Sequence, residues 1–174
     1  MPMTRLIAIM GTVAILAGCQ TAAPSAPSDL ATARSQFARF AALDGEWRAT
    51  GGNHAQGATH SYRTIANGSV VVETAFPGLP HEMVTVIHVD GSDLVLTHYC
   101  AAGNQPHMVA APSDDKTVDF RFVKAGNLVD PNADHMRDAT FTFIDADHLR
   151  TRWSFWSGGE KTSEMVVVLE RLSK

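Results

Sequence analysis

From residue 45 onwards the apolar positions recur at every second residue. The segment Val118-Asp119-Phe120-Arg121-Phe122 shows the pattern most clearly, with apolar side chains on one parity and charges on the other. This period of two predicts a strand with one face buried. It recurs over residues 46–51, 58–66, 69–76, 83–89, 94–100, 107–111, 117–124, 139–145, 149–156 and 163–171, about ten strands in all. The stretch before them follows another rule. Leu30, Ala33, Phe37, Phe40 and Ala41 recur near 3.6, which predicts a short helix over 29–43. Ser28 is placed to cap it, Asp29 falls in its first turn, and Asp44-Gly45 ends it.

The connections carry turn chemistry: Asn67-Gly68, Asp90-Gly91-Ser92-Asp93, Ser113-Asp114-Asp115, Asp145-Ala146-Asp147 and Ser157-Gly158-Gly159. Asn-Gly is the strongest signal for a two-residue hairpin. Only residues 125–138 read as a long, irregular connection. Parallel crossovers need a dozen or more residues, so the chain must run as an antiparallel meander. Closing such a meander removes both sheet edges, and an all-β barrel is the expected fold. Ten strands make a wider barrel than eight, with room for a cavity. The strands are too short and too polar for the lipid-facing bands of a membrane barrel.

The N-terminus has a different character. Arg5 precedes an uncharged apolar run, LIAIMGTVAILA, over residues 6–17. A bilayer span takes about 20 residues, whereas this run has the length of a signal-peptide core. It ends in Leu16-Ala17-Gly18-Cys19, which resembles a bacterial lipobox. That resemblance implies a signal peptide over residues 1–18 and lipid attachment to Cys19. The expected partner is then a membrane, reached through the anchor. Gln20, where an Asp would resemble an inner-membrane retention signal, points to the outer membrane, facing the periplasm. Residues 19–28 are rich in Pro, Ser and Ala and read as a flexible tether. The barrel domain occupies residues 29–174. Removing the signal leaves 13 of the 14 basic residues against all 18 acidic ones, which argues against a nucleic-acid partner. It also leaves Cys100 without an intramolecular disulfide partner.

Gly45-Glu46-Trp47 at the start of the first strand resembles the G-x-W opening of calycin-type barrels such as lipocalins. The resemblance implies a ten-stranded calycin-like barrel over residues 44–171, with Trp47 closing one end. The chain is also similar to DUF1579-type bacterial proteins, a likeness that brings a fold and no activity. Nitrobindin-like haem barrels share the opening. Here Arg48-Ala49-Thr50 interrupts their glycine pattern and the last strand, EMVVVLERL, offers no His, so no cofactor is expected.

Chemically capable side chains concentrate in LTHYCAAGNQPHM, residues 96–108. Parity places Leu94, Leu96, His98 and Cys100 on one face, and that face is expected to point inward. Glu73 interrupts an apolar strand, and Glu82 follows the stiff turn Phe76-Pro77-Gly78-Leu79-Pro80. Asn104-Gln105 sits at a strand mouth and His135 in the long connection. The expectation is that Glu73, Glu82, His98, Cys100, Asn104, Gln105 and His135 line one pocket for a small, partly apolar ligand. Each also has a structural role open to it. A histidine can be a hydrogen-bonded barrel residue, and Asn104 or Gln105 can satisfy loop backbone. No C-x-x-C, H-E-x-x-H or G-x-S-x-G motif occurs, so no catalytic or metal role is assigned. Two alternatives stay open. One is a metalloprotein or hydrolase built on His98, Cys100 and His135. The other is a structural envelope lipoprotein with a filled barrel.

Overall fold

The computed structural model describes residues 30–173; the expected signal peptide, lipidated Cys19, tether and Ser28–Asp29 cap all fall outside the described residues. Helix α1 (Leu30–Ala41) leads into ten strands. These are β1 (Gly45–Gly52), β2 (Thr59–Ile65), β3 (Val70–Ala75), β4 (Met83–Asp90) and β5 (Asp93–Tyr99), followed by β6 (Gln105–Ala110), β7 (Thr117–Gly126), β8 (His135–Phe143), β9 (His148–Ser157) and β10 (Glu160–Ser173). Each strand pairs antiparallel with its neighbour in sequence, and β1 pairs with β10 to close the barrel. The alternation read from the sequence therefore becomes an inside and an outside. Val71, Ile87, Leu94, Leu96, Met108, Phe120, Phe141, Leu149 and Leu169 fill the interior, while Arg150 and Arg152 of β9 face out.

Two local expectations change. The irregular segment is shorter than 125–138, because β7 runs on to Gly126 and β8 begins at His135. Asn67-Gly68 is not a two-residue hairpin. Ile65 pairs with Val70 across a four-residue loop that holds Ala66, Asn67 and Gly68 all at positive φ.

Alternate hairpins of an up-and-down barrel open to the same end. Helix α1 covers the end that holds the β4–β5, β6–β7 and β8–β9 turns. Phe40 inserts there against Phe120, Phe141 and Phe143, with ring centroids 5.1–5.8 Å apart. Arg39 Nη1 donates to the carbonyl of Asp115 at 2.8 Å and Gln36 Nε2 to Ser113 Oγ at 3.2 Å, which fixes the helix to the β6–β7 turn.

Trp47 lies at this covered end and is fully buried. Its indole N–H donates to the Leu43 carbonyl at 2.8 Å. The Arg171 guanidinium lies over the indole, 4.2 Å from the ring centroid. The same guanidinium donates to the carbonyls of Ala42 (3.0 Å), Asp44 (2.7 Å) and Ala146 (3.0 Å). One side chain of the last strand thus ties the end of α1, the start of β1 and the β8–β9 turn together.

Candidate functional site

The opposite half of the barrel carries the polar interior. Register builds it. Tyr62 of β2 pairs with Glu73 of β3, Glu73 with Thr85 of β4, and Thr85 with His98 of β5. All four are buried, so a row of polar side chains crosses four adjacent strands on the inner face. His60, two residues before Tyr62, shares its face and is also buried.

Hydrogen bonds fix the row. Glu73 Oε1 accepts from the Tyr62 hydroxyl at 3.0 Å and faces His60 Nδ1 at 3.1 Å. His98 Nδ1 lies 3.0 Å from Thr85 Oγ1, and its ring packs on Trp153 at 4.9 Å between centroids. Burial opposes ionisation of Glu73, but the hydrogen bond and charge of His60 and the Tyr62 hydroxyl outweigh it, and its pKa is lowered. Tyr62 moves the other way: burial and the neighbouring carboxylate raise its pKa, so it remains a donor. Burial pushes His98 down to about 4, only partly offset by the Glu73 charge, and the ring is neutral near pH 7.

These charge states assign protons. An ionised carboxylate only accepts, so His60 Nδ1 carries the hydrogen it donates to Glu73. His60 Nε2 is then the ring nitrogen left over, a lone pair whenever the ring is neutral. His60 Nε2 and His98 Nε2 are both buried without a hydrogen-bond partner.

Both rings line one cavity of about 50 Å³, together with Glu73, Trp153 and three methionines, Met83, Met136 and Met165. A single water needs on the order of 10–15 Å³ of such space, so a guest of only a few non-hydrogen atoms fits. A bulge between Met136 and Ala139 leaves Arg137 and Asp138 without strand partners, and His135 and Met136 before it are both buried. Phe76 stands at the mouth with φ 59°, a left-handed backbone that a bulky residue adopts only under strain. Its ring packs against those of His54, His60 and His81. His54 is exposed, and it completes the rim.

Of the seven residues expected at one pocket, Glu73 and His98 line this cavity. Glu82 is exposed and accepts from the Gly78 N–H at 2.5 Å, fastening the β3–β4 turn. Cys100 is half-buried at the β5–β6 turn, where its sulfur accepts from the Ala102 N–H at 3.5 Å. Burial raises its thiol pKa, which keeps it protonated and unreactive. Asn104 Nδ2 donates to the Asp134 carbonyl at 2.7 Å and Gln105 Nε2 to the Gly103 carbonyl at 3.3 Å. His135 Nδ1 donates to the Ala133 carbonyl at 2.7 Å, and its ring lies 5.3 Å from that of Phe122. Asn104 and His135 thus hold the carbonyls of Asp134 and Ala133 at the end of the loop before β8, and neither lines the cavity.

His60, Tyr62, Thr85 and the methionines were not singled out from the sequence. The alternation in Thr59-His60-Ser61-Tyr62-Arg63 carried the parity of the first two, and only the β2–β3 register shows that they meet Glu73. Among the described residues no three or more His, Cys, Asp or Glu side chains are grouped to hold a metal ion. No protein-family model matches the chain, and no curated protein matches it.

Proposed function

We propose that this chain is a lipid-anchored protein of the bacterial cell envelope whose calycin-like barrel binds a small guest in the cavity between His60, Glu73 and His98. The lipobox at Leu16–Cys19 supports the anchor, and Gln20 favours the outer membrane with the barrel facing the periplasm. The G-x-W opening and the deep burial of Trp47 support the calycin likeness.

One observation carries the binding reading: two imidazole nitrogens are buried without partners in the wall of an otherwise largely apolar cavity. A buried polar atom left unpaired costs about 1–3 kcal/mol, and a guest that pairs with it recovers that cost. The narrow cavity favours a guest far smaller than a lipid.

Native mass spectrometry of the purified full chain, before and after mild denaturation, tests the reading. A bound species lost in His98→Ala is the expected result. A chain whose mass is that of its polypeptide and lipid alone, unchanged by incubation with small candidate guests, refutes it and leaves the structural role of a filled barrel.

A further inference from the structure

The donors around the cavity are of an unusual kind. The described chain holds four methionines, Met83, Met108, Met136 and Met165, and three of them line this one small space. Methionine commonly fills irregular gaps in a core. Packing alone, however, does not explain why two histidines in the same wall keep Nε2 unpaired.

The outer side of each ring is anchored. His60 Nδ1 donates to Glu73, and His98 Nδ1 faces the Thr85 hydroxyl. A metal-bound imidazole is usually held in this way, with its other nitrogen hydrogen-bonded to a carboxylate or another fixed oxygen. With Thr85 Oγ1 as acceptor, the neutral His98 ring presents a lone pair at Nε2, the end that faces the cavity unpaired. His60, held at Nδ1 by Glu73, has its Nε2 as the end left to coordinate.

Donor type and charge select the metal. Zinc favours four donors from Cys, His, Asp or Glu, and no three such side chains are grouped for an ion among the described residues. Thioether sulfur is soft and, combined with imidazole, suits monovalent copper. The one buried carboxylate beside the cavity, Glu73, matches a single positive charge, whereas a divalent ion would leave net charge in an apolar interior.

We propose that the cavity binds one Cu(I) ion through His60 Nε2, His98 Nε2 and the thioethers of the surrounding methionines. The inference rests on the cavity being a guest site and names the guest.

The test uses full-length protein purified in detergent. Cu(I) is supplied anaerobically in competition with a chromophoric Cu(I) chelator, and Zn(II) is supplied in a parallel titration. Withdrawal of one equivalent of Cu(I), with both nitrogen and sulfur neighbours in the X-ray absorption spectrum, is expected. Cys19→Ser/Cys100→Ser should bind equally, which removes thiolates as the source of the sulfur. Replacing Met83, Met136 and Met165 together by Leu conserves volume, and should weaken binding more than about tenfold in a protein that melts normally. Glu73→Gln, which removes both the carboxylate that holds His60 Nδ1 and the charge beside the cavity, should weaken it about 10–100-fold.

Three results would overturn the inference: no Cu(I) uptake by folded protein, uptake lost in the cysteine variant, or uptake unaffected in both His60→Gln and His98→Gln. An organic species seen by native mass spectrometry without copper uptake would sink the metal inference alone. The absence of any guest would sink both readings.

Discussion

Acid should loosen this barrel through a single side chain. His98 ionises near pH 6.5 when unfolded, but only at about 4 when folded, because burial disfavours its cation. The folded pKa of this base is depressed, so between the two values the unfolded chain binds the proton and the folded chain does not. Stability is therefore complete above pH 6.5 and falls as pH drops towards 4. At pH 5 the unfolded ring is almost wholly protonated and the folded ring about one tenth. The linkage then removes about 2 kcal/mol relative to pH 7.5, rising to about 3 kcal/mol near pH 4. Glu73 adds a loss of the same sign, which begins as pH falls into the ordinary carboxylate range and is complete below its lowered folded pKa. The window from pH 7.5 to 5 thus separates His98 from Glu73. Urea melts of metal-free wild type and His98→Gln at pH 7.5, 6 and 5 make the comparison, since His107, lowered by burial, and His148, raised by Asp145, contribute equally to both. The amide keeps a donor and an acceptor near Thr85 but cannot take up the proton. Wild type should lose about 2 kcal/mol more than the variant across the window. Equal losses in the two proteins would refute the reasoning.

Cys19→Ser should release the protein from membrane fractions; retention after a high-salt wash would show that something other than lipid holds it. Trp47→Ala removes a fully buried indole and should cost about 3–5 kcal/mol in a denaturant melt, with a loss under about 1 kcal/mol contradicting its closing role. Arg171→Met keeps the apolar stem but leaves the carbonyls of Ala42, Asp44 and Ala146 without this donor. It should cost about 1–3 kcal/mol, and chymotrypsin cleavage near α1 should accelerate; an unchanged melt and cleavage rate would show that the guanidinium holds nothing.

The ten strands were legible because burial on one face writes itself into every second residue. The short turns then left an antiparallel meander as the only way to connect them. The barrel's closure was legible too, as a way to remove edges. The site was legible only in part, because parity says which residues share a face and not which residues on different strands meet. Glu73 stood out as a charge in an apolar strand, and His98 as the polar member of an apolar face. Tyr62 and Thr85 look ordinary until register sets them beside Glu73 and His98. Asn104, Gln105 and His135 misled because chemical capability in a turn is as often spent on loop backbone as on a guest. That Met83, Met136 and Met165 share one cavity was not legible, since they come from three different strands and only register brings them together.

The Arg171 latch and the β1–β10 seam join residues more than a hundred positions apart. Closure therefore waits for the last strand of the barrel. A polypeptide still being delivered holds nine strands in an open, curling sheet with two unpaired edges, one of them β1. Contacts of such long range are slow to form, and exposed edges recruit other chains in the meantime. Loss of residues 167–173 would thus strip β1 of its β10 partner and leave the helix end untied, turning a closed cylinder into a template for aggregation.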